Sequence, residues 1–206
     1  MHKPTTFAFL SIAALSSACS TKSAPADNPA ANPTAVIARG EQLVRMGGCG
    51  DCHTPLKFDP KIGMPVPDRS RMLSGHPEGA PDPDGAPGKA DVGVIGATMT
   101  SFKTGFGTVY ARNLTPDRET GLGAWTKEDF IQTMRTGHRK GGTRVILPPM
   151  PWQNLASATD DDLVAIYSYL QSLPAIKNAV PEAKVPPEAM HAIEQGYANA
   201  AKQASL

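Results

Sequence analysis

Cys49 and Cys52 are separated by two residues, and His53 follows the second cysteine directly. Covalent attachment of a haem needs two thiols that reach the two vinyl groups on one porphyrin edge, and an adjacent histidine can then bring its imidazole to the iron. The spacing therefore predicts a haem c held by Cys49 and Cys52, with His53 as an iron ligand. The motif occurs once, so we expect one haem.

Three other kinds of site use two cysteines at this spacing. A thioredoxin-like redox pair follows a strand in a βαβ unit, and no such context precedes Cys49. A zinc site needs a second pair of ligands, but no cysteine follows Cys52. A structural disulfide would leave His53 without a role. Haem attachment is the interpretation that uses all three residues.

Met150 is the residue that we predict as the second axial ligand. It lies in the segment LPPMPW at residues 147–152, whose prolines stiffen the loop and remove backbone donors. Such a loop can hold a thioether sulfur against the iron, although a methionine that fills a gap in the core is the alternative. His76 and His138 are rival ligands. We expect a local hydrogen bond for the first and a solvated position for the second.

The composition favours a modest helical core with long irregular loops. Aromatic residues make up 6% of the chain, which contains 19 glycines and 20 prolines. Residues 54–124 show almost no sustained period, with short strands predicted only at 92–95 and 108–110. We predict a mainly α fold around one haem, interrupted by a long irregular Gly/Pro-rich insertion. The net charge of +1 and the lack of a basic face argue against nucleic-acid binding.

Helical patterns and their end signals place the predicted helices. These are residues 35–46 with Thr34 as N-cap, a helix from Thr126 to Gly137, one from residues 159–162 to Pro174, and a terminal helix from Pro187. Gly40 lies inside the first of them, where glycine costs about 1 kcal/mol relative to alanine. Close approach of another helix would compensate for this cost. For the terminal helix we expect packing against its own domain, and docking to a partner is the alternative.

The stretch 38–174 resembles a class I cytochrome c domain of the bacterial periplasmic type. The resemblance rests on the helix with Gly40, the haem motif, the PPMPW loop and the last helix, which ends at Tyr169-Leu170. It implies that the first and last helices cross, with Gly40 against Tyr169.

A second group of residues resembles cytochrome domains that accept electrons from periplasmic dehydrogenases: ARNLTPD at 111–117, ETGLG at 119–123 with Trp125, and SGHP at 74–77. This resemblance implies that Arg112, Asn113 and Trp125 lie by the haem, with Arg112 or Trp152 at a propionate. Buried carboxylates need charge-assisted donors, which supports these roles. The alternative is that Arg112 is a surface charge and Trp125 a core residue.

These resemblances imply an electron carrier and not an enzyme, so no catalytic residue is predicted. The iron would cycle between ferric and ferrous with both axial positions filled, between a dehydrogenase donor and an oxidase or cytochrome acceptor. One alternative is a cytochrome subunit fixed in a membrane-associated dehydrogenase or oxidase complex. Another is a haem enzyme or gas sensor with a displaceable sixth ligand.

The N-terminal residues predict export and a lipid anchor. Residues 1–18 have a basic start and a short apolar run, well below the roughly 20 residues that span a bilayer, as in a signal peptide. Cys19 follows as in bacterial lipoproteins, and ordinary cleavage within residues 23–26 is the alternative. We therefore predict a periplasmic, membrane-anchored lipoprotein. Its parts would be the signal peptide at 1–18, a tether at 19–35, the cytochrome c domain at 36–175 and a C-terminal extension at 176–206.

Overall fold

A computed structural model of the protein describes residues 32–85, 93–141 and 144–204. The predicted fold class is confirmed, because helices predominate in this part of the chain. The helices are α1 (Pro33–Met46), α2 (Cys49–His53), α3 (Lys127–Thr136), α4 (Trp152–Ala156), α5 (Asp160–Ser172) and α6 (Pro187–Ala204). The strands are β1 (Leu56–Asp59), β2 (Met64–Pro67), β3 (Val94–Ile95), β4 (Ser101–Thr104) and β5 (Gly107–Tyr110).

Helix α1 begins at Pro33, slightly earlier than predicted. Asn32 is the N-cap, not Thr34, and its side-chain oxygen accepts hydrogen bonds from the backbone N–H groups of Thr34 and Ala35. Proline suits the first helical position because its missing N–H would have had no intrahelical partner. The helix ends at Met46 before Gly47, as predicted.

Helices α1 and α5 cross at Gly40, and this confirms the expected role of the glycine. A Cβ added at Gly40 would overlap the carbonyl oxygen of Ala165 and lie 2.8 Å from the Cβ of Tyr169. The two backbones therefore approach closely, and only the absence of a side chain permits the contact. The packing of the two helices offsets the intrinsic cost of a glycine inside α1.

The ends of α3 and α5 match the predicted signals. Thr126 and Asp129 form a capping box at the start of α3, and Gly137 ends it with a φ of 68°. Thr159 caps α5, whose first turn carries three aspartates that suit the positive end of the helix dipole. The inner faces of α1, α3 and α5 form one buried core with two loop residues, Leu73 and Leu122; the helical members are Val44, Phe130, Met134, Leu163, Ile166, Tyr169 and Leu170.

Two small antiparallel sheets form within the stretch that precedes α3. The predicted strand at 108–110 is present as β5, and the strand at 92–95 is present as β3, although Val92 lies outside the described residues. The hairpin of β1 and β2 was not predicted, because prolines 65 and 67 argue against regular structure. Both lie in β2, and a two-stranded sheet has only edge strands, which tolerate proline.

Residues 174–186, here called the C-terminal strap, connect α5 to α6 across the loop that follows β5. The peptide N–H of Ile176 donates to Thr115 Oγ1, and Lys184 forms an isolated β-bridge with Thr108. Tyr197 of α6 meets the edge of the Trp152 ring, with ring centroids 5.5 Å apart. Among the described helices, α6 included, none combines the length and apolarity that a membrane span requires.

Candidate haem site

The cysteine motif forms helix α2 and is presented on one helical surface. Gly48 precedes it in the left-handed region at φ 64°, which turns the chain sharply after α1. Residues three and four apart lie on the same face of a helix, so Cys49, Cys52 and His53 share one side. Burial is the foremost cause that raises the pKa of each thiol. Neutral thiols of this kind lack the low pKa of a redox-active pair.

His53 is oriented by a backbone carbonyl. Its Nδ1 lies 2.7 Å from the carbonyl oxygen of Arg112. A carbonyl can only accept, so Nδ1 carries the hydrogen and Nε2 keeps its lone pair. Burial is the main cause that lowers the pKa of His53 and keeps the ring neutral, while the bond to Arg112 opposes this shift. A neutral imidazole held through Nδ1 is the form in which histidine binds a metal, so the residue fits an axial ligand.

The SGHP segment at residues 74–77 packs against both α2 and the loop after β5. The Gly75 N–H donates to the His53 carbonyl at 2.8 Å, and the His76 N–H donates to the Ala111 carbonyl at 2.9 Å. Gly75 has a φ of 78°, and a Cβ there would come within 2.6 Å of the carbonyl carbon of Arg112. Glycine is needed at this position because two backbone segments meet on either side of it.

Arg112 belongs to a cluster of three arginines around one carboxylate. Its guanidinium lies 3.3 Å from Glu182 of the strap, which also pairs with Arg139 at 3.4 Å and with Arg144. A cavity of about 490 Å³ beside the cluster is lined by Trp125, Arg139, Lys140, Arg144 and Glu182. Three guanidinium groups for one carboxylate leave an excess of positive charge at this cavity, which suits further carboxylates such as haem propionates.

Asn113 uses its whole side chain within the protein. Its Oδ1 accepts from the N–H and hydroxyl of Thr115, and its Nδ2 donates to Thr120 Oγ1 and to the Ile176 carbonyl. The residue therefore ties the loop after β5 to the strap. In this structure it supports the segment that carries Arg112 and has no donor left over for a ligand.

Met150 lies in the loop that precedes α4, and Trp152 is the first residue of α4. Met150 is partly buried, and its N–H donates to the Leu147 carbonyl at 3.2 Å. Trp152 is 9% exposed, with its ring against the backbone of Gly137. Its buried Nε1 forms no hydrogen bond of normal geometry with the described residues, and the Tyr197 hydroxyl is a nearby polar group. A buried indole N–H normally has an acceptor, so Trp152 fits the predicted contact with a propionate oxygen.

The two rival histidines occupy different surroundings. His76 is fully buried, with Nδ1 2.9 Å from Thr100 Oγ1 and its ring 5.0 Å from that of Tyr110. His138 is exposed, and its Nδ1 donates to the Thr136 carbonyl at 3.0 Å. Each engages a nearby residue through Nδ1, as expected from the sequence. The buried Nε2 of His76 has no hydrogen-bond partner among the described residues, so its Nδ1 bond does not by itself distinguish His76 from His53. The assignment of Met150 as the ligand stays a prediction.

The protein is expected to become less stable as the pH is lowered, because of His76. Burial is the main cause that lowers its pKa in the folded state. As the pH falls below about 6.5, the unfolded chain binds a proton that the folded protein resists, so stability is lost as the pH is lowered. Urea unfolding at pH 7 and 5.5 should show a smaller loss for His76→Asn than for the unchanged protein. His191→Asn, at an exposed position of α6, should keep the full loss. Equal losses in all three proteins would contradict the assignment.

Several residues of the site were missed from the sequence. Arg139, Arg144 and Glu182 form the cluster with Arg112, and Asn178 binds the SGHP segment to the strap. No period runs through residues 174–186, so nothing in the strap indicated a position near α2. The only sequence signal was the presence of polar residues in a stretch too rich in proline to form a helix.

No family model matches the chain. The chain is 31% identical over 155 residues to the cytochrome c subunit of an alcohol dehydrogenase (quinone) from Gluconobacter oxydans, which is 74% of this chain and 25% of the relative. It is 30% identical over 135 residues to the gluconate 2-dehydrogenase cytochrome c subunit from Pantoea cypripedii, 66% of this chain and 22% of that protein. A diheme cytochrome c-type from Cereibacter sphaeroides is 26% identical over 141 residues, 68% of this chain and 37% of the relative.

This chain thus spans only a minor part of each of these curated relatives. All three relatives are named as cytochromes or cytochrome subunits. Helix α2, which carries the cysteine motif, and the oriented ring of His53 agree with that likeness. These likenesses support a c-type cytochrome domain in this chain, and cytochromes of this type bind haem covalently.

Proposed function

We propose that the protein is a monohaem electron carrier with a haem attached to Cys49 and Cys52 and with His53 and Met150 as axial ligands. The observation that supports this most directly is the hydrogen bond from His53 Nδ1 to the Arg112 carbonyl, which leaves Nε2 available to the iron. The single Cys-x-x-Cys-His motif supports one haem, although one relative is named a diheme cytochrome.

The haem would supply one-electron chemistry through its iron. The protein would supply burial, orientation and charge. His53 is held in a fixed tautomer by Arg112, and Met150 would fill the position opposite it, so that no site stays open for a substrate. A thioether ligand favours the reduced state, and we expect a relatively high reduction potential.

Arg112 or Trp152 is proposed to bind a haem propionate, with Trp125 beside the haem. Arg112 and Trp125 belong to the cluster and cavity with excess positive charge, and Trp152 has an indole N–H that forms no hydrogen bond of normal geometry with the described residues. Carboxylates close to an arginine or an indole donor would gain charge-assisted hydrogen bonds. Asn113 would act indirectly, through the loop that it fastens.

The location and partners of the protein are also proposals. Cys19 lies outside the described residues, and the export signal and the lipid anchor rest on the sequence pattern at 1–19 alone. We propose a periplasmic lipoprotein that takes electrons from a dehydrogenase and passes them to an oxidase or another cytochrome. The relatives named as cytochrome subunits favour a second candidate, a subunit fixed to a dehydrogenase. Copurification of a catalytic subunit from membranes would favour that candidate over a mobile carrier.

Replacing Met150 is the experiment that tests the proposed ligation. The unchanged oxidised protein should show the weak far-red absorption band of sulfur–iron ligation. Met150→Ala should lose the band and bind carbon monoxide promptly when reduced, because the sixth position opens. Met46→Ala is the matched control, since Met46 is 75% exposed on α1, and it should keep the band. Absence of the band in the unchanged protein, or prompt carbon monoxide binding by it, would refute the proposal.

A further inference from the structure

The strap reaches the proximal side of the site through Arg112. The Arg112 guanidinium donates to the carbonyls of Val180 at 3.3 Å and Pro181 at 3.0 Å, and it pairs with Glu182. The backbone carbonyl of Arg112 accepts the hydrogen of His53 Nδ1. The same residue is therefore bound to the strap by its side chain and to the predicted iron ligand by its main chain.

Glu182 supplies the negative charge that draws the three arginines together. Arg112, Arg139 and Arg144 come from two loops that are far apart in sequence, and each forms an ion pair with this one carboxylate. Like charges at such short range repel, so the cluster needs a carboxylate at its centre. The first cause that lowers the pKa of Arg112 is burial, followed by the charge of Arg139, while Glu182 acts in the opposite direction.

We propose that Glu182 is a positioning residue that fixes the arginine cluster beside the haem and lowers the reduction potential of the iron. This inference rests on the proposed function. The reasoning is electrostatic: a carboxylate near the haem stabilises the ferric state, and its loss leaves three arginines whose charge favours the ferrous state. Removing the charge of Glu182 should therefore raise the potential. If Glu182 had only a structural role, its replacement would expose the haem to water and would not raise the reduction potential.

The test is a redox titration of the holoprotein carrying Glu182→Gln. Glutamine keeps the length and one acceptor oxygen of the side chain, so the chain should fold and bind haem normally. We expect an upward shift of the midpoint potential, which becomes smaller at high salt because Glu182 is 58% exposed and open to screening. Glu182→Asp, which keeps the charge, should restore a potential close to that of the unchanged protein.

Glu119 provides the matched control. It pairs with Lys177 of the strap at 2.7 Å, so it also connects the loop after β5 to the strap, but both partners are highly exposed and no arginine takes part. Glu119→Gln should leave the potential unchanged. An unchanged potential in Glu182→Gln, or an equal shift in Glu119→Gln, would overturn the inference while leaving the haem and its ligands in place. A protein without covalent haem would overturn the proposed function and this inference together.

Discussion

Substitution of Gly40 by alanine is expected to destabilise the protein by about 3 kcal/mol or more, although alanine is the better helix former. The new Cβ would overlap the Ala165 carbonyl oxygen, a backbone atom that cannot rotate away. Helices α1 and α5 would have to separate, and the core contacts of Val44 and Tyr169 would be lost with them. Gly40→Val should prevent stable folding. Urea unfolding followed by circular dichroism measures the loss.

Gly196 is the matched control, because it is a glycine inside a helix that does not lie at the crossing of α1 and α5. It lies in α6, and a Cβ there would meet nothing within 4 Å. Gly196→Ala should therefore be neutral or stabilise α6 by about 1 kcal/mol at most. If Gly40→Ala were as well tolerated as Gly196→Ala, the close crossing of α1 and α5 would be disproved.

Replacing Asn178 with alanine is expected to cost roughly 3 to 5 kcal/mol, because several buried groups lose their partners together. Asn178 is 1% exposed. Its Nδ2 donates to the carbonyls of Ser74 at 2.7 Å and His76 at 2.9 Å, and its Oδ1 accepts from the side chain of Arg71 and the N–H of Glu78, both at 2.8 Å. Thermal and urea unfolding of the holoprotein would measure the loss.

Two further variants show whether the lost stability comes from the hydrogen bonds of Asn178 or only from the smaller side chain. Asn178→Asp keeps the size and the acceptor atom but places a second oxygen against two carbonyls, so it should be destabilised nearly as much as the alanine variant. Asn154→Ala changes an exposed asparagine of α4 and should stay within about 0.5 kcal/mol of the unchanged protein. If Asn178→Ala matched Asn154→Ala in stability, the strap would not be fastened as described.

Features that depend on neighbouring residues could be predicted from the sequence. The capping box at Thr126 and the stop at Gly137 act within one or two helical turns, and the structure contains both. Gly40 was also interpretable, because its cost inside a helix requires a compensating contact, and the family resemblance named Tyr169 as the residue in contact. The start of α1 was placed two residues late because Asn32 and Thr34 are both good N-caps, and only the proline between them favours the first.

The contacts of the strap could not be predicted in the same way. Glu182 and Asn178 find partners through tertiary packing, and no period or turn signal connects them with Arg112 or Ser74. The hairpin of β1 and β2 was missed for a related reason, since its prolines are acceptable only once β2 is known to be an edge strand. The axial role of Met150 and the propionate contacts stay predictions, for which the geometry of Trp152 and of the arginine cluster provides support.

The contacts of the strap bear on the order in which the protein matures. Asn178 and the SGHP segment are separated by more than a hundred positions, and the bond to Ser74 spans 104. Closing so long a loop costs entropy before its contacts are gained, so such contacts tend to form late in folding. Cys49 and Cys52 lie near the start of the described chain. The two cysteines proposed to hold the haem would therefore be in place before the strap binds the SGHP segment, and a haem could reach them at that earlier stage.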